Sequence, residues 1–304
     1  MPSPRLTGAL LACMFVNLSM TGCRSPGEGE PTAQKPATQA SQPKNVELPG
    51  VNSSDLTPRE KSQWSTHVSE LFAPCPQLNA SVAACVLEKK DCTACLPAAE
   101  FLLSQVRQGR TPGQTEAAFE ARFGADSKVD LEIEGSPSKG NDSAPIVIVE
   151  FADFECPACR AASGILDGIV GKFSDVRLVF KNYPLTNIHL NAEDAARAAV
   201  AAGRQGKFWE MHHELFTTEP PLTPERIKGL AKKVGLDLGK FDSDVRSEAV
   251  VDAVRADQKL GQRVKLEATP SIFVNGRHVD VVNDLAVDLE AWIELERKLS
   301  SKKP

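Results

Sequence analysis

The chain has 304 residues, and at about 150 residues per domain this length predicts two folded units with additional segments. Hydrophobic residues make up 41% and charged residues 25% of the chain, which excludes a wholly disordered protein. The 35 basic and 40 acidic side chains leave a formal net charge of −5, which argues against general nucleic-acid binding. No apolar run reaches the about 18–20 residues that a membrane-spanning helix needs.

Residues 1–23 have the pattern of an export signal: Arg5 is followed by a short apolar stretch and then by small residues. The final Met20-Thr21-Gly22-Cys23 resembles a bacterial lipobox, which implies acylation of Cys23 and a lipid anchor in a membrane. The alternative is a secretory signal that merely ends near a cysteine. We therefore expect the protein in the cell envelope, on the periplasmic side.

Residues 24–54 have the composition of a disordered tether. The segment contains no aromatic residue and too little apolar surface to offset its conformational entropy. Its five prolines are Pro26, Pro31, Pro36, Pro43 and Pro49. Export also implies an oxidising environment, so cysteine pairs in this chain are interpreted first as disulfides.

Residues 55–124 are predicted to form a small all-α domain of four short helices. Thr57 precedes Pro58 and is followed three residues later by Glu60, which is an N-terminal capping signal. Apolar residues then recur at helical spacing. They include Trp64, Val68, Leu71, Phe72, Leu78, Val82, Leu102, Leu103, Val106, Ala118, Phe119 and Phe123. Since so small a core is marginally stable, covalent cross-links would help to stabilise it.

Four cysteines in this domain are candidates for structural disulfides: Cys75, Cys85, Cys92 and Cys95. Four cysteines allow three pairings, and the sequence does not choose among them. A hairpin of the second and third helices would favour nested pairs, Cys75 with Cys95 and Cys85 with Cys92. Two alternatives stay open: Cys92 and Cys95 as a second redox pair, or a zinc site of all four thiolates.

A second C-x-x-C motif follows a strongly apolar segment. Alternating residues 129–133 predict a short strand, and residues 135–143 a turn. Residues 146–151 then predict a buried strand, which leads directly into Cys156-Pro157-Ala158-Cys159 and a helical pattern. Strand, C-x-x-C and helix in this order indicate a thioredoxin-type redox site. Neither C-x-x-C motif is followed by histidine, which argues against haem attachment.

Each residue of this motif has an expected role. Cys156 lies at the first turn of a helix, where free N–H groups stabilise a thiolate, so we expect it to be the attacking sulfur. Cys159 is the expected resolving thiol, and Pro157 suits the first helical position. Glu150, in the apolar strand, is expected to have a raised pKa and to exchange a proton with Cys159. The alternatives are a structural disulfide or half a zinc site for the cysteines, and a partly exposed acid for Glu150.

The remaining half of the pattern lies far downstream. Residues 267–276 form an apolar strand that is entered through Thr269-Pro270 and left through Asn275-Gly276. Residues 278–282 return as a partner strand, and a closing helix follows. Together with Glu150-Phe151 and Cys156-Pro157-Ala158-Cys159, this region resembles the DsbA-like thioredoxin-fold disulfide oxidoreductases.

The resemblance implies an α/β thioredoxin fold over residues 125–304, with a helical insertion at about 187–265. It also implies that Thr269 and Pro270, with Pro157 as a third substrate-binding residue, shape the substrate groove and that Pro270 is cis, which exposes a backbone edge for a substrate peptide. His189, His212 and His213 are expected in core or surface roles, since adjacent histidines on a helix point in different directions. No metal site and no cofactor are expected.

The expected function is thiol–disulfide exchange with exported proteins that carry thiols or disulfides, with a membrane redox partner for recycling. No nucleic-acid partner is expected. Pro-Ala between the cysteines departs from the Pro-His of the strongest oxidants in the family, and this removes a residue that could favour the thiolate. Oxidase or isomerase activity is favoured over reductase activity. The alternative is a tethered binding or chaperone module whose cysteines take no part in catalysis.

Overall fold

The computed structural model describes residues 45–281 and 284–300. These residues all belong to one compact unit. The predicted export signal, Cys23 and most of the predicted tether lie outside the described residues. Within the described residues, no helix combines the length and the apolar character that a membrane span requires.

Four helices form the first part of the described chain, as the sequence predicted. Thr57 caps the first of them: its hydroxyl accepts from the Glu60 N–H, and the Glu60 carboxylate accepts from the Thr57 N–H. This reciprocal pair satisfies N–H groups that have no partner inside the helix. The helices are α1 (Pro58–Glu70), α2 (Val82–Leu87), α3 (Cys95–Arg107) and α4 (Pro112–Phe123).

The core of these helices also holds residues that the sequence analysis assigned to the tether. Leu48 is buried against the helices, and the Val46 N–H donates to the Ser65 hydroxyl at 3.0 Å. Trp64, fully buried in the same core, donates its indole N–H to the Ala99 carbonyl at 3.1 Å. Residues 45–54 are therefore ordered on the helices, because Val46 and Leu48 supply apolar surface within a composition that otherwise predicts disorder.

Two disulfides link the loops at one end of this helical region. They join Cys75 to Cys92 and Cys85 to Cys95, with Cα–Cα distances of 6.1 and 5.9 Å. The nested pairing favoured from the sequence is therefore wrong. Cys95 is the first residue of α3 and faces Cys85 of the adjacent helix α2, which leaves Cys92 for the loop cysteine, Cys75.

A five-stranded sheet lies at the centre of the second part. Its strands are β1 (Ser138–Gly140), β2 (Ile146–Ala152), β3 (Val176–Asn182), β4 (Ser271–Val274) and β5 (Arg277–His278). Their order is β1-β3-β2-β4-β5; β2 and β3 are parallel, and the other pairs are antiparallel. Both edges are short, with three residues in β1 and two in β5.

Two predicted strands differ from the structure. Residues 129–133 form no regular strand; Leu131 nevertheless packs under the sheet, beside Val149 and Phe273. The edge strand lies instead at Ser138–Gly140, inside the predicted turn. The alternation of apolar residues at 129–133 therefore reflects burial against one face of the sheet. It does not mark a regular strand of the sheet. The partner strand predicted at 278–282 is only two residues long, and Val282 lies outside the described residues.

Helices pack against the sheet in two groups. The helices that follow the redox motif and close the chain, α5 (Pro157–Lys172) and α11 (Leu285–Ser300), cover one face. The helical insertion contributes to a second core that contains both cysteines of the motif. The helices of the insertion are α6 (Ala192–Gly203), α7 (Phe208–Thr217), α8 (Pro224–Lys233), α9 (Leu238–Asp244) and α10 (Glu248–Arg263).

The helical region is attached to the sheet region through α11. Leu295 and Leu299 of α11 pack into the core of helices α1–α4. Arg122 of α4 is almost fully buried, donates to the Glu296 carboxylate and lies 4.6 Å above the centre of the Trp292 ring. Glu296 also accepts from the Asn275 side-chain amide at 2.8 Å. A buried ion pair of this kind needs both partners, since either charge alone would be desolvated without compensation.

Candidate active site

Cys156 lies at the junction between the central strand and the first long helix of the sheet region. Strand β2 ends at Ala152, and four residues later Cys156 occupies the N-cap of α5, in an extended conformation (φ −74°, ψ 122°). Pro157 is the first helical residue, as predicted, and its missing N–H costs nothing at this position. The first N–H groups of α5 have no partner within the helix, so they are available to a negative charge on the Cys156 sulfur.

The two cysteines of the motif are free thiols with different surroundings. Cys156 is 7% exposed and Cys159 is completely buried. The Cys159 S–H, together with the backbone N–H groups of Cys159 and Ala158, lowers the pKa of Cys156 to about 5. Burial has the opposite effect on Cys159 and raises the pKa of its thiol. The geometry therefore supplies a thiolate at Cys156 and a protonated thiol at Cys159 near neutral pH.

The predicted substrate-binding residues lie beside this thiolate. The Thr269–Pro270 peptide bond is cis, as the family resemblance implied, and it immediately precedes β4. The Cys156 sulfur is 3.4 Å from the Thr269 carbonyl oxygen. The Thr269 hydroxyl is buried and has no hydrogen-bond partner within the described residues. Residues 113 positions apart in the chain thus meet at the reactive sulfur.

Glu150 lies in the centre of the sheet, paired with Phe180 of β3 and Ile272 of β4. Residues 146, 148 and 150 alternate along β2, so the Glu150 side chain lies on the same face of the sheet as those of Ile146 and Ile148, which face α5 and α11. The carboxyl group is fully buried, and neither of its oxygens has a hydrogen-bond partner among the described residues. Burial raises the pKa of Glu150 to about 8, and the negative charges of Asp167 and Cys156 add to the effect. Such a group can gain or lose a proton near neutral pH.

Sequence reasoning missed two acids that precede Cys156, Asp153 and Glu155. Both are buried. Asp153 accepts from the Leu185 N–H and contacts His189 Nδ1, each at 2.8 Å. Glu155 accepts from the Leu222 N–H at 2.7 Å and from the Asn191 N–H at 2.9 Å. Two acids directly after a buried strand were the available signal, but their partners lie 32 to 67 positions away in the chain.

The other predicted residues lie elsewhere. The four cysteines of the helical region form their own cluster, in which Cys85, Cys92 and Cys95 are buried and Cys75 is half-buried, separate from the core that contains Cys156. His212 is buried among Phe154, Phe180 and Phe216, as its apolar helix face predicted. Burial lowers the pKa of His212 to about 3, so this imidazole stays neutral in the core.

The family model described as thioredoxin matches residues 132–294, which is more than half of the chain. This range includes the strand before the motif, the C-x-x-C motif itself, the helical insertion and the cis-proline strand. The match ends inside α11 and leaves the four-cysteine helical region outside.

Two solved structures are similar to this chain. The crystal structure of a thioredoxin-like oxidoreductase from Silicibacter pomeroyi DSS-3 is 28% identical, with a TM-score of 0.50, and the similarity covers 54% of this chain and 94% of that one. BdbD from Bacillus subtilis, in its oxidised form, is 26% identical with a TM-score of 0.49, over 57% of this chain and 98% of that one.

Curated relatives share the thioredoxin-like region alone. A protein named Na(+)/H(+) antiporter NhaA 1 from Mycolicibacterium vanbaalenii is 44% identical over 144 residues, which is 46% of this chain and 23% of that protein. The similarly named NhaA of Herminiimonas arsenicoxydans is 36% identical over 142 residues, or 46% of this chain and 22% of that protein. The chain thus spans less than a quarter of the length of these relatives, and their named ion transport is not carried over to it.

Proposed function

The chain belongs to the thioredoxin family, with the DsbA-like form of its fold, and from this premise we propose that it is a thiol–disulfide oxidoreductase acting on exported proteins. The observation that carries the proposal is the pairing of a stabilised thiolate at Cys156 with a buried thiol at Cys159. A purely structural pair of cysteines would need neither the difference in pKa nor the Thr269 carbonyl oxygen against the first sulfur.

The proposed reaction proceeds through a mixed disulfide. With the protein reduced, the Cys156 thiolate attacks a substrate disulfide, and one substrate sulfur leaves as a thiolate. Cys159 then loses its proton and attacks Cys156, which releases the second substrate sulfur and forms the Cys156–Cys159 bond. With the protein oxidised, a substrate thiolate attacks Cys156 and the same steps run in reverse, so two electrons move from substrate to protein.

Glu150 and the segment before β4 have supporting roles in this reaction. Glu150 accepts or returns the proton of Cys159, because its raised pKa permits both states near neutral pH. Thr269 and Pro270 present a backbone edge beside Cys156 with which an extended substrate segment can pair. Exported substrates, a membrane redox partner and a lipid anchor at Cys23 belong to the same proposal.

The low pKa of Cys156 supports oxidation or isomerisation over reduction. A stabilised thiolate makes the reduced protein favourable, and a protein with a favourable reduced form oxidises its substrates. We expect a Cys156–Cys159 potential of about −120 to −180 mV by glutathione titration of the full chain. A potential of about −270 mV would make the protein a reductase, and a potential below about −300 mV would indicate a structural disulfide.

A trapping experiment separates the enzyme from the alternative, a binding or chaperone module with non-catalytic cysteines. Cys159→Ser removes the resolving thiol, so mixed disulfides between Cys156 and a substrate protein should accumulate on non-reducing gels and disappear on reduction. The matched control is Cys156→Ser with Cys159→Ser, which should trap nothing. If the single variant also traps nothing, the catalytic proposal fails and the binding module is favoured.

A further inference from the structure

The four cysteines of the helical region have a connectivity that their positions in the chain do not suggest. Cys92 and Cys95 are only three residues apart, yet each is bonded to a different cysteine, Cys75 and Cys85 respectively. The sulfurs of Cys85, Cys92 and Cys95 all lie within 4.8 Å of one another. Two disulfides therefore lie side by side, and sulfurs that are not bonded to each other are within reach of exchange.

The two disulfides differ in accessibility. Cys85, Cys92 and Cys95 are 1%, 8% and 3% exposed, whereas Cys75 is only half-buried, in the loop between α1 and α2. A thiolate from outside can therefore reach the sulfur of Cys75 more readily than the other three. Attack there leaves Cys92 as the departing thiolate. Since Cys92 lies just before α3, a helix of 13 residues, the free N–H groups of that helix favour the charge on the departing sulfur.

We infer that the four-cysteine cluster is a second thiol–disulfide exchange site, which reacts with dithiols through Cys75 and whose half-reduced form carries a Cys92–Cys95 disulfide. Three observations carry the inference together: the crossed connectivity, the 4.8 Å grouping of the buried sulfurs, and the accessibility of Cys75 alone. This site is separate from the Cys156–Cys159 pair and does not depend on the proposed reaction there.

The exchange proceeds in three steps. A dithiol thiolate attacks Cys75, which breaks the Cys75–Cys92 bond and forms a mixed disulfide. The released Cys92 thiolate attacks the sulfur of Cys95, which forms Cys92–Cys95 and releases Cys85. The second thiol of the reductant then displaces Cys75 from the mixed disulfide.

The atoms and electrons of this sequence balance. Two disulfides of the cluster are broken, and two are formed: Cys92–Cys95 and the disulfide of the oxidised dithiol. The two thiol protons of the reductant end on Cys75 and Cys85. The cluster thus accepts two electrons, and Cys92-Thr93-Ala94-Cys95 stays oxidised, ready to accept two more.

Limited reduction of the full chain tests this directly. The chain with Cys156→Ser and Cys159→Ser, in which the first site is silent, is treated with increasing dithiothreitol, quenched in acid, alkylated and mapped by mass spectrometry. The expected two-electron product has alkylated Cys75 and Cys85 and a Cys92–Cys95 disulfide in most molecules. The inference is overturned if that product retains either original disulfide, if both disulfides are lost together, or if neither reacts.

Two further variants approach the same product from opposite sides. Cys75→Ser leaves Cys92 as a thiol next to the Cys85–Cys95 bond, and Cys85→Ser leaves Cys95 as a thiol next to the Cys75–Cys92 bond. Both should convert to Cys92–Cys95, with Cys85 or Cys75 free. A stable original disulfide beside the free thiol in either variant contradicts the inference. The limited reduction needs no substitution within the cluster, so it decides the question even if a variant fails to fold.

Discussion

At position 150 a carboxyl group takes the place of an apolar side chain in the middle of β2. It is fully buried without a hydrogen-bond partner within the described chain, and its pKa is raised to about 8 from an ordinary 4.5. The folded protein therefore holds a proton that the unfolded chain releases across this range. The stabilisation is complete below pH 4.5 and is lost as the pH rises towards 8.

Glu150→Gln removes this titration and keeps the size of the side chain. The unfolding free energy of the reduced wild type, minus that of the variant, should fall by about 1.4 kcal/mol per pH unit between those limits. Urea unfolding at several pH values measures the difference, in which the contributions of other titrating groups cancel. The matched control, Glu134→Gln at an exposed position, should give a constant difference. A constant difference for Glu150→Gln would show that the carboxyl group titrates normally.

Residues of the site that are close together in the sequence could be predicted from it. Cys156, Pro157 and Cys159 follow a buried strand directly, so strand, thiol and helix start could be read locally. The burial of Glu150 followed from the apolar residues around it. Asp153 and Glu155 could not be assigned, because a buried acid and an exposed acid look alike in sequence, and their partners belong to segments far along the chain.

Two connecting segments are fixed by those acids. Glu155 binds the N–H of Asn191, at the start of α6, and the N–H of Leu222, just before α8. Arg160 of α5 donates to the Thr218 carbonyl at 3.0 Å, which fixes the second segment from another side. Side chains that directly flank the Cys156–Cys159 motif, Glu155 and Arg160, thus fix both segments.

Glu155→Ala should release both segments. The buried Leu222 N–H would lose its acceptor, and an unsatisfied buried donor costs about 1–3 kcal/mol of stability. We expect faster hydrogen exchange at the amides of Leu222 and Asn191, together with that loss in urea unfolding. The matched control is Glu210→Ala at an exposed helical position, where the change should stay within about 0.5 kcal/mol. Unchanged exchange at Leu222 would mean that Glu155 does not hold the segment.

Helices were more predictable than strand positions and cross-links. Thr57 and its glutamate three residues on define the start of α1, because a capping box is a local signal. Residues 129–133 alternate like a strand but only cover a sheet face, and alternation does not distinguish the two. The disulfide pairing depends on how α2 and α3 lie against each other, which the spacing of four cysteines does not encode.

Across the whole molecule, Arg122 connects the four-cysteine helices to the thioredoxin-like part. Its partner, Glu296, lies on α11, 174 residues away, and also binds Asn275 at the end of β4. One buried ion pair therefore links α4, α11 and the sheet. This ion pair could not be predicted from the sequence, since neither Arg122 nor Glu296 belongs to a recognisable motif.

Arg122→Met should destabilise the protein by about 3–5 kcal/mol, because the Glu296 carboxylate would stay buried without its countercharge. Urea unfolding measures the loss, and Arg122→Met with Glu296→Leu should recover part of it. The control is Arg107→Met, which breaks the exposed pair with Asp55 and should cost less than about 1 kcal/mol. Equal effects at Arg122 and Arg107 would rule out a dominant role for the buried pair.

The short edge strands of the sheet have a consequence for a protein that is proposed to exchange disulfides with exported proteins. An exposed edge strand presents unpaired N–H and C=O groups, which recruit other extended chains and seed aggregation. Here β1 has three residues and β5 has two, and Lys128 forms a β-bridge with Arg277 of β5. Substrate segments in an extended conformation therefore find few unpaired backbone groups at either edge of the sheet. Strand addition is therefore disfavoured at both edges of the sheet, and in the proposed reaction an extended substrate segment pairs instead with the backbone beside Thr269.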